Sequence, residues 1–167
     1  MRYLVRERIF SLGTDFWIED EYGNRPFYVD GKALSLREAC ELRDADGHLL
    51  TRIHKKLLAM RDTMEIEADG RTVARIRPAF FSPIKHRYEI DLTDGQRLEA
   101  IGNFTDKNWE IISADGHLVG RVSRRWFRVR DTYGVEVAPG VNDPLIISIA
   151  VCIDHIHTDE ERERHAH

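Results

Sequence analysis

Four Asp-Gly dipeptides punctuate the chain at a near-constant interval. Asp46-Gly47, Asp69-Gly70, Asp94-Gly95 and Asp115-Gly116 are 23, 25 and 21 residues apart. Each lies between two short runs in which apolar and polar residues alternate. A two-residue type I′ connection needs positive φ at both central positions, which aspartate tolerates and glycine adopts freely, so the dipeptides predict hairpin turns. Gly23, in EDEYGNRPFYV, extends the series 24 residues upstream of Gly47. Five turn signals at this spacing imply a serial β-meander.

Between the turns, Met64, Ile66 and Ala68 alternate with Thr63, Glu65 and Glu67, and His86, Tyr88, Ile90 and Leu92 alternate with Lys85, Arg87, Glu89 and Asp91. Leu118, Gly120 and Val122 continue the pattern less cleanly, and Tyr133, Val135 and Val137 supply a last strand. One sheet face is therefore buried and the other wet. Ten to twelve short strands are too many for a flat open sheet of this size, so a closed barrel is the economical solution to the edge problem. A short helical piece is expected near Ser35–Glu41. At 167 residues with 42% apolar content, the core needs neither metal nor disulfide staples, and Cys40 and Cys152 read as reduced thiols.

The C-terminal segment breaks the pattern. In VNDPLIISIAVCIDHIH, Leu145 to Ile153 is apolar apart from one serine. Asn142 or Asp143 can N-cap and Pro144 suits the first turn, so the segment predicts a helix of about 13 residues, roughly 20 Å long. That is short of the roughly 30 Å of a bilayer core, which argues against a transmembrane anchor. A helix apolar on every side must be surrounded on every side, and a meander curled around it does this. Leu145, Ile146, Ile149, Ala150 and Ile153 are the expected central residues. The closing TDEERERHAH reads as a polar, frayed tail, giving one domain over 1–157 and a tail over 158–167. The opening MRYLVRERIF lacks the apolar stretch of a secretory signal, so a cytoplasmic protein is expected.

The stretches YLVRERIFSLGTDFWIEDEYGNRPFYVDGKALSLREACELRDADGHLLTRIHKKLL, ISADGHLVGRVSRRWF, DTYGVEV and NDPLIISIAVCIDHI, in that order from Tyr3 to Ile156, resemble the LURP-one-related family. That family belongs with the tubby C-terminal-like proteins and is similar to the phospholipid scramblases. The resemblance implies a closed twelve-stranded β-barrel threaded by a hydrophobic C-terminal α-helix. It also implies proximity to membranes, since tubby-like relatives bind phosphoinositide head groups and scramblase-like relatives act at membranes and bind calcium. Plant members are linked to defence. No calcium loop of alternating Asp/Asn with a distal Glu is present in this sequence, so that attribute does not carry over.

The leading candidate site is RTVARIRPAFFSPIKHRYEI. Arg75, Arg77, Lys85 and Arg87 share one parity and are placed on the outer face of a hairpin, with Ala74, Ile76, Tyr88 and Ile90 inward. Like charges on paired strands repel, a cost that an anionic ligand would offset. The basic-x-basic spacing resembles the head-group-binding strand of tubby-like domains, and Phe80 and Phe81 at the turn could enter a membrane interface. The plainer alternative has the phenylalanines closing one barrel end and the arginines simply solvated. Two further basic clusters are Arg52, His54, Lys55, Lys56 and Arg61, and Arg121, Arg124, Arg125, Arg128 and Arg130 around Trp126, an interfacial or stacking residue in this reading. Both are also compatible with a solvated outer surface.

His155, His157, His165 and His167 invite a zinc reading with Asp154 or Cys152, and Cys152 and His155 lie three apart on a helix, but a cysteine in an apolar helix is usually inert packing. Asp15, Glu19, Asp20 and Glu21 are scattered carboxylates near turns. No Walker A loop, dinucleotide fingerprint, HExxH, GxSxG or CxxC occurs. The expectation is a non-enzymatic module without cofactor or metal, binding anionic lipid peripherally at a membrane surface. A soluble interaction scaffold is the alternative. A net charge of −4 makes nucleic acid the poorer partner.

Overall fold

A computed structural model describes residues 1–7, 15–30, 39–56, 62–79, 87–127 and 129–166. Twelve strands follow in chain order: β1 Arg2–Arg6, β2 Phe16–Asp20, β3 Phe27–Asp30, β4 Ala39–Asp44, β5 Leu49–Lys55, β6 Met64–Ala68, β7 Arg71–Pro78, β8 Arg87–Leu92, β9 Arg97–Asn103, β10 Asn108–Ser113, β11 Leu118–Ser123 and β12 Thr132–Val137. A 3-10 turn at Arg124–Trp126 precedes β12, and one helix, α1, runs over Asp143–His165. Every strand pairs antiparallel with its sequence neighbours, and β1 joins both β2 and β12. The closed barrel predicted from the alternation is the fold. Ala39–Glu41, expected at the end of a helical piece, belong to β4, and Ser35 to Arg37 and neighbouring Glu38 lie outside the described residues.

Four of the five glycine turns are of another kind than predicted. Only at Asp69-Gly70 do both residues have positive φ, 51° and 74°. At the others the glycine alone has positive φ, with its N–H bonded to a carbonyl three residues back: Gly23 to Asp20, Gly47 to Asp44, Gly95 to Leu92 and Gly116 to Ser113. These are three-residue connections, a type I turn closed by a left-handed glycine, which favour Asp or Ser at the first position and Gly at the fourth. The first side chain explains the preference. Asp20 Oδ1 accepts the N–H groups of Tyr22 and Asn24, and Asp44 Oδ1 those of Asp46 and His48.

The helix fills the barrel. Nine consecutive residues, Ile146 to Asp154, are buried, so no face of this stretch meets solvent. Inward residues of the wall meet it, among them Ile53, Ile66, Ala74, Ile76, Ile90, Val122 and Val135, each at most 1% exposed. Gly120 has no side chain because Ile146 sits in its place: a Cβ there would lie 2.8 Å from Ile146 Cγ2. Asn142 caps the helix by accepting the Leu145 N–H at 3.0 Å. Of the expected central residues, Ile146, Ile149, Ala150 and Ile153 are fully buried, and Leu145 is partly so at the helix start.

The helix is 23 residues long rather than about 13. The polar stretch expected to fray continues it, and the expected boundary at 157/158 falls inside it. His155 pairs with Asp159 and His157 with Glu161, each at i,i+4, and Arg162, Arg164 and His165 occupy the last turn, where cations favour the helix dipole. This half carries too much charge for the helix to cross a membrane; among the described residues no helix is long and apolar enough to do so.

Because Ile149 is enclosed on all sides, an Ile149→Asp protein should lose more than about 4 kcal/mol of stability, an unpaired carboxylate having entered the barrel centre. Thermal denaturation and size-exclusion chromatography should show an unfolded or aggregated chain.

Candidate functional site: the two rims of the barrel

Strict antiparallel order sorts the connections between two rims, each of which carries charges of both signs. Odd strands run toward one rim, where the helix leaves; even strands run toward the other, where the helix enters. All five glycine turns follow even strands, so Asp20, Asp44, Asp46, Asp69, Asp94 and Asp115 gather at the entry rim with Asp143. Arg6 at the end of β1, Lys55 and Lys56 at the end of β5, Arg77 and Arg87 flanking the β7–β8 connection, and Arg124 and Arg125 after β11 all reach the exit rim. The three basic clusters, distant in sequence, thus share one end.

Between the rims the outer wall is a ladder of opposite charges. Arg75, Arg77 and Arg87 face outward as predicted, yet cross-strand they meet acids rather than each other: Arg75 opposes Asp91 and Arg77 opposes Glu89. Arg75 Nε lies 3.2 Å from Glu65, Arg77 bonds Glu89 at 3.2 Å and Asp91 at 2.7 Å, and Arg87 bonds Glu99. The expected like-charge repulsion is therefore absent at these three; β6, β8 and β9 supply carboxylates at matching heights. Lys85, Phe80 and Phe81 lie outside the described residues. Burial works against the Asp91 carboxylate, but hydrogen bonds and charge from Arg97 and Arg77 outweigh it and hold its pKa below the ordinary value.

In the second cluster Arg121 bonds Glu110, Arg124 bonds Glu7 at 2.6 Å, and Arg130 lies 3.7 Å from Asp131. Arg128 is outside the described residues. Trp126 is no free stacking platform: it is half-buried, a Cβ on Gly134 would come within 2.7 Å of its ring, and the Arg2 guanidinium sits 4.5 Å from the ring centre. In the remaining cluster His54 bonds Glu67 and Lys55 lies 3.7 Å from Asp62, while the half-buried Arg52 stands between Glu41 and Glu67. Arg61 is outside the described residues. Among the described residues, Arg6, Lys56 and Arg125 remain exposed at the exit rim with no carboxylate bonded to them.

The acid and histidine groups are likewise engaged. Asp15 accepts from Tyr28, Glu19 from Arg25, Asp20 holds its turn, and Glu21 takes the Arg2 N–H. His155 and His157, two apart on α1, bond different acids and do not converge on an ion, and His167 is outside the described residues. Asp44, Asp46 and His48 bring ligand atoms within 4.8 Å of one another, but the Asp44 carboxylate is spent on the turn's N–H groups and on His48. Burial pushes the Cys40 thiol up to about 12, Glu41 and Asp30 adding to it; burial, then neighbouring Cys40, carries Cys152 well above its ordinary value.

One group was not legible in the sequence. Lys107, at positive φ in the β9–β10 turn, folds inward over the exit end and bonds buried Asp154 of α1 at 2.5 Å. The same turn places Phe104 against Tyr88, Trp109 and His157. It closes the barrel around the helix where the wall ends.

A twelve-stranded antiparallel barrel wrapped on a hydrophobic helix is the class of protein that these features define. The LURP-one-related family model matches residues 1–154, and the chain belongs to that family. It is 24% identical over 160 residues, 95% of each chain, to the uncharacterized protein YxjI of Bacillus subtilis. It is also 24% identical to protein LURP-one-related 6 of Arabidopsis thaliana, over 87% of this chain and 83% of that one. The X-ray structure of an Arabidopsis thaliana protein shares the fold at a TM-score of 0.67 and 14% identity, covering 93% of this chain and 91% of the other.

Two measurements follow. Lys107→Met removes the lysine's charge from beside buried Asp154 and should cost about 3–5 kcal/mol in urea denaturation, most of it recovered in Lys107→Met/Asp154→Leu. Neither thiol should react with a disulfide reagent at pH 8 in the native protein, whereas two should react in denaturant.

Proposed function

We propose that this protein is a non-enzymatic module that rests the exit rim of its barrel on anionic lipid head groups, peripherally and on the cytoplasmic side of a membrane. The observation that supports the reading is that, among the described residues, Arg6, Lys56 and Arg125 stand exposed at the exit rim with no carboxylate bonded to them, whereas the entry rim carries the aspartate turns and one such arginine, Arg71. Trp17, 41% exposed near the start of β2, and Val129, 53% exposed after the 3-10 turn, bring apolar surface to the same end. An aromatic and an aliphatic side chain beside unpaired cations suit the head-group layer. Several acids at the same end are engaged, Asp159, Glu160 and Glu161 by His155, Tyr88 and His157 and Glu7 by Arg124, while Asp106, Asp131 and Glu163 stand exposed beside them.

Arg77 and Arg87 belong to the proposed surface as well, and Arg75, farther down β7, lies at its margin. Their ion pairs are surface pairs worth about 0–1 kcal/mol, within reach of competition by a phosphate. The aspartate turns of the entry rim would face away from the membrane.

Near an anionic membrane each cation contributes about 1 kcal/mol. Co-sedimentation with phosphatidylcholine vesicles containing phosphatidylglycerol should therefore show salt-sensitive binding absent from pure phosphatidylcholine. The Arg6→Gln/Lys56→Gln/Arg125→Gln variant should bind on the order of 100-fold more weakly, whereas Arg71→Gln at the opposite rim should bind like the parent. No binding by the parent, or equal binding by the triple variant, would sink the proposal and leave an interaction scaffold.

A further inference from the structure

The entry end of the barrel holds a second feature that the rim reading does not use. A cavity of about 440 Å³, open to solvent on one side, lies between the start of β5, the β6–β7 and β8–β9 turns and the first turn of α1. Its volume falls in the range of small-molecule sites, and barrel mouths are a usual place for them. Val73, Leu92 and Leu145, each half-buried against the core, form an apolar wall with Leu50. Thr51 lies at the base with its hydroxyl committed to Ser148 at 2.7 Å, so the floor presents no unpaired polar group.

Asp69 and Asp94 line the mouth, and among the described residues no lysine, arginine or histidine lines it, Arg71 lying just beyond the Asp69-Gly70 turn. Among the described residues Asp69 bonds no cation, and the Asp94 carboxylate bonds only the backbone N–H and amide of Gln96, at 2.9 and 3.1 Å. The helix N-terminus, which would otherwise favour an anion, is largely taken up: Asn142 accepts the Leu145 N–H through its side chain and the Ile146 N–H through its carbonyl, Pro144 has no N–H to offer, and Asp143 adds a carboxylate to the first turn. An apolar wall beneath two carboxylates complements one kind of occupant.

We propose that this mouth binds a small organic cation with an apolar body, its ammonium group between Asp69 and Asp94 and its hydrocarbon against Val73, Leu92 and Leu145. Anions are repelled by the carboxylates, and neutral compounds gain only the apolar contact. The site stands independently of the membrane-facing rim, from which it is separated by the length of the barrel.

The test is a calorimetric titration of the full chain with hexylammonium, hexanol and hexanoate. Hexylammonium should bind saturably, hexanol at least about tenfold more weakly, and hexanoate not measurably. Asp69→Asn/Asp94→Asn, which keeps a residue tolerant of the left-handed turn and an acceptor for Gln96, should fold with an unchanged melting temperature and bind the amine no better than the alcohol. Val73→Trp should fill the cavity and abolish both. The Arg6→Gln/Lys56→Gln/Arg125→Gln variant should bind hexylammonium like the parent, whatever it does with vesicles. Absence of saturable amine binding, equal binding of amine and alcohol, a preference that survives in the double Asn variant, or binding unaffected by Val73→Trp would each overturn the proposal.

Discussion

The barrel depends on a helix that cannot be left in contact with water on any side. From Ile146 to Asp154 every residue is buried, and burying a side chain of the Ile or Val kind contributes roughly 1.5–3 kcal/mol relative to exposure. A helix with one apolar stripe could dock on an open sheet. This one needs a wall all the way round, and a twelve-strand circle leaves more interior than its own side chains would fill. Wall and helix therefore require each other: the empty barrel would enclose a void and the bare helix would aggregate. Gly120 shows how close the fit is, since the wall gives up a side chain to admit Ile146.

A greasy cylinder in a greasy tube has little to fix its depth or rotation, and a few polar contacts supply that. Ser148 Oγ donates to its own helix at the Pro144 carbonyl and so receives the hydroxyl of Thr51 on β5. Tyr3 of β1 donates to Asp143 at the entry end, and Lys107 reaches Asp154 toward the exit end. Left unpaired, any of these buried groups would cost more than it contributes when paired, so a slipped helix is penalised at several points at once.

The outside obeys another rule. Opposite charges alternate across neighbouring strands, from Glu65 through Arg75 and Arg77 to Glu89 and Asp91, then Arg87 and Glu99, so that most cations there have a local counter-charge. The turn-forming aspartates sit at one rim for a stereochemical reason, because their carboxylates hold the turns together. The gathering of aspartates at that rim is thus partly a by-product of how the hairpins close.

Periodicity along the chain determined the strands, the inward set such as Ala74, Ile76, Tyr88 and Ile90, the positions of the turns and the presence of an all-round apolar helix, since each depends on neighbours within a few residues. The turn type was in principle also there, in the Asp or Ser three residues before Gly23, Gly47 and Gly116, but the Asp-Gly pair is the louder signal and points to the wrong loop length at three of the four turns that carry it. The helix end was missed because polarity alone resembles a tail, whereas the His155–Asp159 and His157–Glu161 pairs and the cationic last turn sustain the helix. Only the tertiary structure decided that Arg75 and Arg77 face carboxylates, that basic segments far apart in sequence share a rim, that Lys107 turns inward, and that a cavity opens beside Asp69 and Asp94. These depend on cross-strand register and on which end each strand reaches, and those are fixed by closure of the barrel around the helix rather than by any local run of residues.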